Sequence, residues 1–211
     1  LSGPSSVAYG SGAMGGALIF NTVDPIDTNQ LVIRQIFESS NNAVTTNLLG
    51  RYYSKKISQI SGFSIKSADN LRMGSNRLHG YKNWGNDGGA TLNNEQLFTN
   101  YYKADFIHKI KYQIDNRNQL LSNTQFSISS DVYRFDKMND LDNGELKYLK
   151  WYYGPQIRFL QKLEYLSGYK SFLFNSYRLS LAYQNIKESR HKQKREDLFL
   201  SNRFENVKIY D

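Results

Sequence analysis

Three glycines near the start of the chain, Gly10, Gly12 and Gly15 in YGSGAMGGALIF (Tyr9–Phe20), have the G-x-G-x-x-G spacing of a turn that wraps a pyrophosphate. That chemistry needs a buried strand before the glycines, a helix after them and an acidic residue about 20 positions on. The residues before Gly10, GPSSVAY, are too few and too polar for a buried strand. After Gly16 the run ALIFNTVDP is apolar and β-branched until Pro25 breaks it, and no amphipathic helix fits there. No strand–helix alternation follows. The spacing therefore reads as a glycine-rich turn that feeds an extended segment.

Other residues carry weaker chemical signals. His79, Tyr81 and Trp84 share the long loop RLHGYKNWG, where an imidazole and two rings can grip a haem or another flat chelate. Asp140 and Asp142 in DKMNDLDNGE have the i, i+2 spacing of a calcium loop. Gly144 takes the third acidic position and the distal Glu is missing, so an ordinary exposed loop is expected and no metal site. KESRHKQKRE (Lys187–Glu196) is strongly basic but has no interleaved aromatics, and it reads as a solvated loop that on a barrel meets lipid phosphates or an anionic ligand. Nucleic acid is not expected as a partner. The histidines, His79, His108 and His191, are too far apart to suggest a shared metal, and Cys is absent. No Ser/His/Asp set or carboxylate pair assembles, so neither an enzyme nor a resident cofactor is expected.

The elements that must position these residues read as strands. Aromatics make up 14% of the 211 residues, with 16 Tyr and only 3 Pro, a mix that suits pleated surfaces. In YYKADFIHKIKYQI (Tyr101–Ile114) the even positions carry Tyr102, Ala104, Phe106, Ile110 and Tyr112, while the odd ones carry Lys103, Asp105, Lys109 and Lys111. His108 falls in the even, apolar phase, which counts against a lipid-facing strand. LLSNTQFSISSDVYRF (Leu120–Phe135) alternates more softly. In WYYGPQIRFLQKLEYL, Trp151, Tyr153, Ile157, Phe159, Leu163 and Tyr165 share one phase; Leu179, Leu181 and Tyr183 do so further on. These runs exceed the five or six residues of a globular strand.

The connections alternate in length. Short turns are expected near Ser54–Lys56, Asp115–Asn118 and Ser167–Lys170, and longer loops at Asp69–Phe98, Asp136–Leu149 and Lys187–Asp197. Aromatics gather at strand ends. Short turns on one side, long loops on the other and aromatic ends describe a membrane β-barrel. No apolar run reaches the roughly 18 residues of a membrane helix. A soluble antiparallel sheet with a net charge of +8 remains the other reading of this pattern.

GPSSVAYGSGAMGGALIFNT (Gly3–Thr22) resembles the end of the plug domain of TonB-dependent outer-membrane receptors, matching its usual pattern at Gly3, Pro4, Ser6, Tyr9, Gly10, Ser11, Ala13, Gly15, Gly16 and Thr22, with Gly12 inside it. Ser2, and the order of Leu18, Ile19 and Phe20, depart slightly. DVYRFDKMND, KWYYGPQIR and AYQNIKESR are similar to barrel segments of the haem, siderophore and cobalamin branch. The resemblance implies an all-β fold: a partial transmembrane antiparallel β-barrel, about 8 strands of an expected 22 or so, preceded by the C-terminal stretch of a plug. Residues 1–25 would end the plug and residues 26–211 would begin the barrel, the chain being an internal fragment. It further implies energy-coupled uptake of a metal chelate (haem, siderophore or cobalamin) across a Gram-negative outer membrane. The implied partners are the TonB–ExbB–ExbD complex, acting through an upstream segment, the ligand and outer-membrane lipid. A surface β-protein that binds or adheres without transport is the alternative.

Overall fold

The computed structural model describes residues 22–74 and 89–211. The glycine-rich motif (Gly3, Pro4, Ser6, Tyr9, Gly10, Ser11, Gly12, Gly15 and Gly16) and the loop residues His79, Tyr81 and Trp84 lie outside the described residues.

The chain is all-β. After an extended leader come β1 (Gln30–Glu38), β2 (Ala43–Ser54) and β3 (Ile57–Ala68). Three short strands follow, β4 (Leu71–Arg72), β5 (Thr91–Leu92) and β6 (Glu95–Gln96), which form a small sheet of their own. Next are β7 (Tyr101–Gln113), β8 (Asn118–Ser129), β9 (Val132–Tyr133) and a one-turn helix α1 (Phe135–Met138). A small hairpin of β10 (Leu141–Asp142) and β11 (Glu145–Leu146) leads to β12 (Tyr148–Tyr153), β13 (Ile157–Ser167), β14 (Tyr177–Lys194) and β15 (Ser201–Tyr210).

All other strands join one ten-stranded sheet, antiparallel throughout. Ile128↔Ile157 and Val132↔Tyr153 keep one register, so β8 and β9 are a single pass of the chain, and so are β12 and β13. Counted this way the ten strands make eight passes, each paired with the pass before it in sequence. This is an up-and-down meander, the topology that the alternating turns and loops predict.

Local chemistry sets the turns. β2 and β3 join through Lys55–Lys56 alone, since Ser54 pairs with Ile57. In the β7–β8 turn Asp115 Oδ1 accepts the N–H groups of Arg117 (2.8 Å) and Asn118 (3.0 Å), and Oδ2 accepts Asn118 Nδ2 (2.7 Å). The β10–β11 hairpin turns on Asn143 (φ 52°) and Gly144 (φ 87°), the left-handed pair that a two-residue turn requires.

The two faces differ sharply. Directly paired residues share a face, so the register fixes each side. One face carries Ile33, Leu48, Phe63, Phe106, Phe126 and Phe159 in a single cross-sheet row. The other carries Arg34, Asn47, Ser64, Asp105, Ser127 and Arg158. Every Asp and Glu of the large sheet lies on this polar face; on the apolar face the only charged side chains of its strands are Lys150, Lys187 and Lys208.

Burial is inverted relative to a soluble sheet. On β1 to β7 Leu31 (72%) and Ile33 (66%) are exposed on the apolar face, whereas Ala43, Ser58, Ile60, Ala68 and Lys109 are buried on the polar one; on β15 both faces are exposed. His108 does lie on the apolar face, as its phase predicts. It is not an isolated polar group there: its Nδ1 is 2.8 Å from Ser61 Oγ, and its ring stacks on Phe106. In the same row Thr124 Oγ1 donates to Gln161 Oε1 (2.6 Å), and Gln161 Nε2 donates to Ser122 Oγ (3.0 Å). In this row the polar side chains satisfy one another.

Two sequence expectations are corrected here. Lys187–Lys194 is not a loop: it belongs to β14 and pairs with β15 on one edge and β12 on the other. Strand alternation splits its charges, sending Arg190, Lys192 and Lys194 to the polar face and Lys187 to the apolar one. Secondly, Trp151 and Tyr153 do not share a face with Ile157. Pairing to β14 slips by one residue across Gly154–Gln156, from Ile157↔Lys187 to Tyr153↔Arg190. Pro155 has no N–H to give the ladder, and a one-residue slip moves every later side chain to the opposite side.

Candidate functional site

The polar face gathers three features. The first is the leader. Thr22 to Asn29 crosses this face beside β3 and β7, held by side chains that the strands project upward. Lys109 Nζ donates to the Thr22 carbonyl (3.0 Å) and to Asp24 Oδ1 (2.7 Å). Asp27 Oδ1 accepts Ser58 Oγ at 2.7 Å and lies 3.6 Å from Lys111 Nζ. Asn29 Oδ1 accepts the Tyr53 N–H at 2.7 Å. Pro25 is buried between these attachments. Lysines at alternate positions of β7 can reach the leader only because both project from one face.

The second feature is a hollow of about 470 Å³. Arg34, Asn47, Ser64, Asp105, Gln125 and Ser127 contribute its polar lining. Gly62 keeps it open, for a Cβ there would lie 2.8 Å from Ile107 Cγ2. Asp105 Oδ1 accepts Ser127 Oγ (2.7 Å) and pairs with Lys103 Nζ (3.1 Å), so the carboxylate is neutralised within the wall.

The third is a cation–aromatic cluster at the end of the sheet that bears the longer loops. Trp151 is buried with Ala90, Phe135 and Met138. The Arg134 guanidinium sits 4.8 Å from the Trp151 ring centre, and that of Arg190 sits 5.3 Å from Tyr153 and 5.7 Å from Trp151. Arg134 also grips Asp136 through two bonds, Nε to Oδ1 (2.8 Å) and Nη2 to Oδ2 (2.6 Å). The Asp136 carboxyl is held below its ordinary range chiefly by that hydrogen bonding, and Arg134 is raised by the same contact. Arg190 stands directly opposite Arg203 on β15. Arg203 is paired with Glu205 (Nε to Oε1, 2.8 Å), and Glu188 stands opposite Glu205 in the next same-face row, so the charges of this corner alternate in sign.

The sequence-predicted candidates fare differently. The acidic loop is used structurally. Asp140 pairs with Lys137 (2.9 Å) and Asp142 lies 3.8 Å from Lys147; Met138 and Asn139 are buried, while residues 141–145 are exposed as expected of a loop. No group of three or more metal-ligating side chains occurs among the described residues. His108 and His191 are on separate strands. His191 Nδ1 lies 2.6 Å from Asn202 Oδ1, its Nε2 lies 2.9 Å from Ser189 Oγ, and its ring stacks on Tyr152. The leader contacts and the Arg134–Trp151–Arg190 cluster are functional candidates that sequence reasoning missed. The first had a signal in the paired lysines of β7; the second was hidden by the slip at Pro155. Neither a protein-family model nor a curated protein matches the chain.

Proposed function

We propose that the chain is the end of a plug and the first strands of the barrel of a TonB-dependent outer-membrane receptor that takes up a metal chelate. The observation that carries this reading is the inverted sheet, with a long apolar face exposed and a charged face that holds packed chain. A soluble sheet buries its apolar side; a barrel wall turns it to lipid and keeps its polar side for the lumen.

Dimensions support the same reading. Tyr102 and Tyr112 cap the apolar face of β7 ten residues apart, about 33 Å of strand. At a barrel tilt near 45° this spans roughly 23 Å along the membrane normal, close to the ~25 Å apolar band between aromatic girdles. A ladder of rings crosses the loop end of the sheet: Phe98–Tyr133 (5.3 Å), Tyr133–Tyr152 (4.9 Å), Tyr152–His191 (4.7 Å) and His191–Phe204 (5.6 Å). At the turn end Tyr165 and Phe174 both meet Tyr177.

The leader fits its role in this scheme. A chain that leaves a plug must cross the lumen face before entering the first strand, and Thr22–Asn29 lies on that face. The Arg134–Trp151–Arg190 cluster and the hollow around Gly62 suit a flat, polar-edged chelate entering from the loop end. Gene deletion tests the proposal. Loss of uptake of iron chelates, haem or cobalamin supports it. Unchanged uptake of all three, or recovery of the full-length protein in the soluble fraction, contradicts it.

A further inference from the structure

The β13–β14 connection, Gly168–Ser176, is the longest at the turn end of the sheet among the described residues. Its sequence, GYKSFLFNS, carries Tyr169, Phe172, Leu173 and Phe174, with Lys170 as its only charge and no carboxylate. The base of the loop is tied down. Gly168 N–H donates to the Arg117 carbonyl of the neighbouring turn (2.7 Å), and Tyr169 N–H donates to Ser167 Oγ (3.3 Å). The tip is a tight turn closed by the Ser171 N–H on the Phe174 carbonyl (2.7 Å). At that tip Phe172 is fully exposed and Leu173 is 82% exposed.

A turn that holds an adjacent Phe and Leu in water is unfavourable unless an apolar phase meets it. Phe174 sets the side on which that phase lies. Its ring packs edge-on against Tyr177 at 5.8 Å. Tyr177 opens β14 on the apolar face, opposite Ser167 and in the phase of Leu179 and Leu181, whereas Arg178 faces the polar side. Tyr165, also on the apolar face, lies 6.0 Å from Tyr177. The loop therefore extends the apolar face beyond its last aromatic row. The two other connections at this end, Lys55–Lys56 and residues 114–117, are short and mostly polar, so the β13–β14 tip stands out from them.

We propose that Phe172 and Leu173 dip into the headgroup–acyl boundary at the turn end and anchor the β13–β14 hairpin in the bilayer. This rests on the membrane reading above. Tyr169 and Lys170, which precede the pair, combine an apolar body with a polar tip, the build of side chains that settle at headgroup level. A loop without a carboxylate also meets no repulsion from lipid phosphates.

The test uses the full-length protein, with any cysteine elsewhere replaced, in phosphatidylcholine bilayers containing a lipid doxyl-labelled near the top of its acyl chain. A fluorophore is carried by S171C, beside the pair, or by K55C in the short β2–β3 turn at the same end. Quenching is expected to be several-fold stronger at S171C than at K55C. Phe172→Ser with Leu173→Ser should bring the S171C probe down to the K55C level. Strong quenching of a probe at F126C with S171C no more quenched than K55C overturns the anchor and leaves the membrane reading in place. So does quenching at S171C that survives the double substitution. Protection of the S171C probe from both the lipid and aqueous iodide puts a protein partner on the tip and likewise overturns the anchor. Loss of quenching at F126C as well overturns both.

Discussion

Lys109 Nζ lies 2.7 Å from Asp24 Oδ1, yet the two partners differ in setting: the lysine side chain is 10% exposed and the aspartate 78%. The ion pair ties an open leader to a buried cation on the sheet. A pair with one solvated partner contributes modestly, and the bond from Lys109 to the Thr22 carbonyl adds to it. Lys109→Gln is therefore expected to raise amide exchange across residues 22–28 by about tenfold, the equivalent of ~1.4 kcal/mol. Asp24→Asn should raise it less, because the carbonyl bond survives. Equal effects of the two variants would mean that the ion pair alone holds the leader.

Gly62 faces Ile107 across the β3–β7 ladder, where an added Cβ would meet Ile107 Cγ2 at 2.8 Å. The isoleucine is β-branched and stiff at χ1. Gly62→Ala should destabilise the sheet by about 1–3 kcal/mol, and Ile107→Ala in the same chain should recover most of that loss. Denaturant or thermal unfolding of the single and double variants measures the recovery; an additive loss would contradict the contact.

Acid should loosen the loop cluster before the sheet. Asp136 is held below its ordinary value of 3.8 by the Arg134 hydrogen bond. A carboxyl depressed in the folded state contributes stability above its unfolded pKa, and that stability is lost as pH falls through the folded value. The packing of Trp151 should therefore be constant from neutral pH to about pH 4 and change below it. With Trp84 replaced by Phe, Trp151 is the remaining tryptophan of this chain, and with any tryptophan elsewhere in the full-length protein replaced likewise its fluorescence reports the change. Asp136→Asn should remove the acid step and give the loosened signal at neutral pH.

Much of this fold is legible in the sequence because side-chain alternation has a period of two and the strands are long. The alternation around Phe106 and Lys109 is enough to separate the two faces of β7, and Asp115 marks its turn. A single-residue slip is not legible in the same way. Nothing in the phase of Trp151 and Tyr153 reports that Pro155 shifts the ladder, although a proline inside an apparent strand is the warning. The basic run from Lys187 reads as a loop in the sequence because consecutive charges resemble a solvated surface. In the sheet, alternate charges serve different faces, so a charged run and a strand are compatible. The Asp24–Lys109 contact joins residues 85 positions apart, and the register that brings them together is set by intervening strands.

The central claim is that the face bearing Phe63, Phe106 and Phe126 lies against lipid while the face bearing Asp105 and Gln125 does not. The chain has no native cysteine, so once any cysteine elsewhere in the full-length protein is replaced, single Cys residues at Phe126 and Gln125, adjacent on β8, can each carry a fluorophore. With the full-length protein in bilayers containing a doxyl-labelled lipid, quenching should be strong for F126C and weak for Q125C. Equal quenching at the two positions, or stronger quenching for Q125C, would contradict the account.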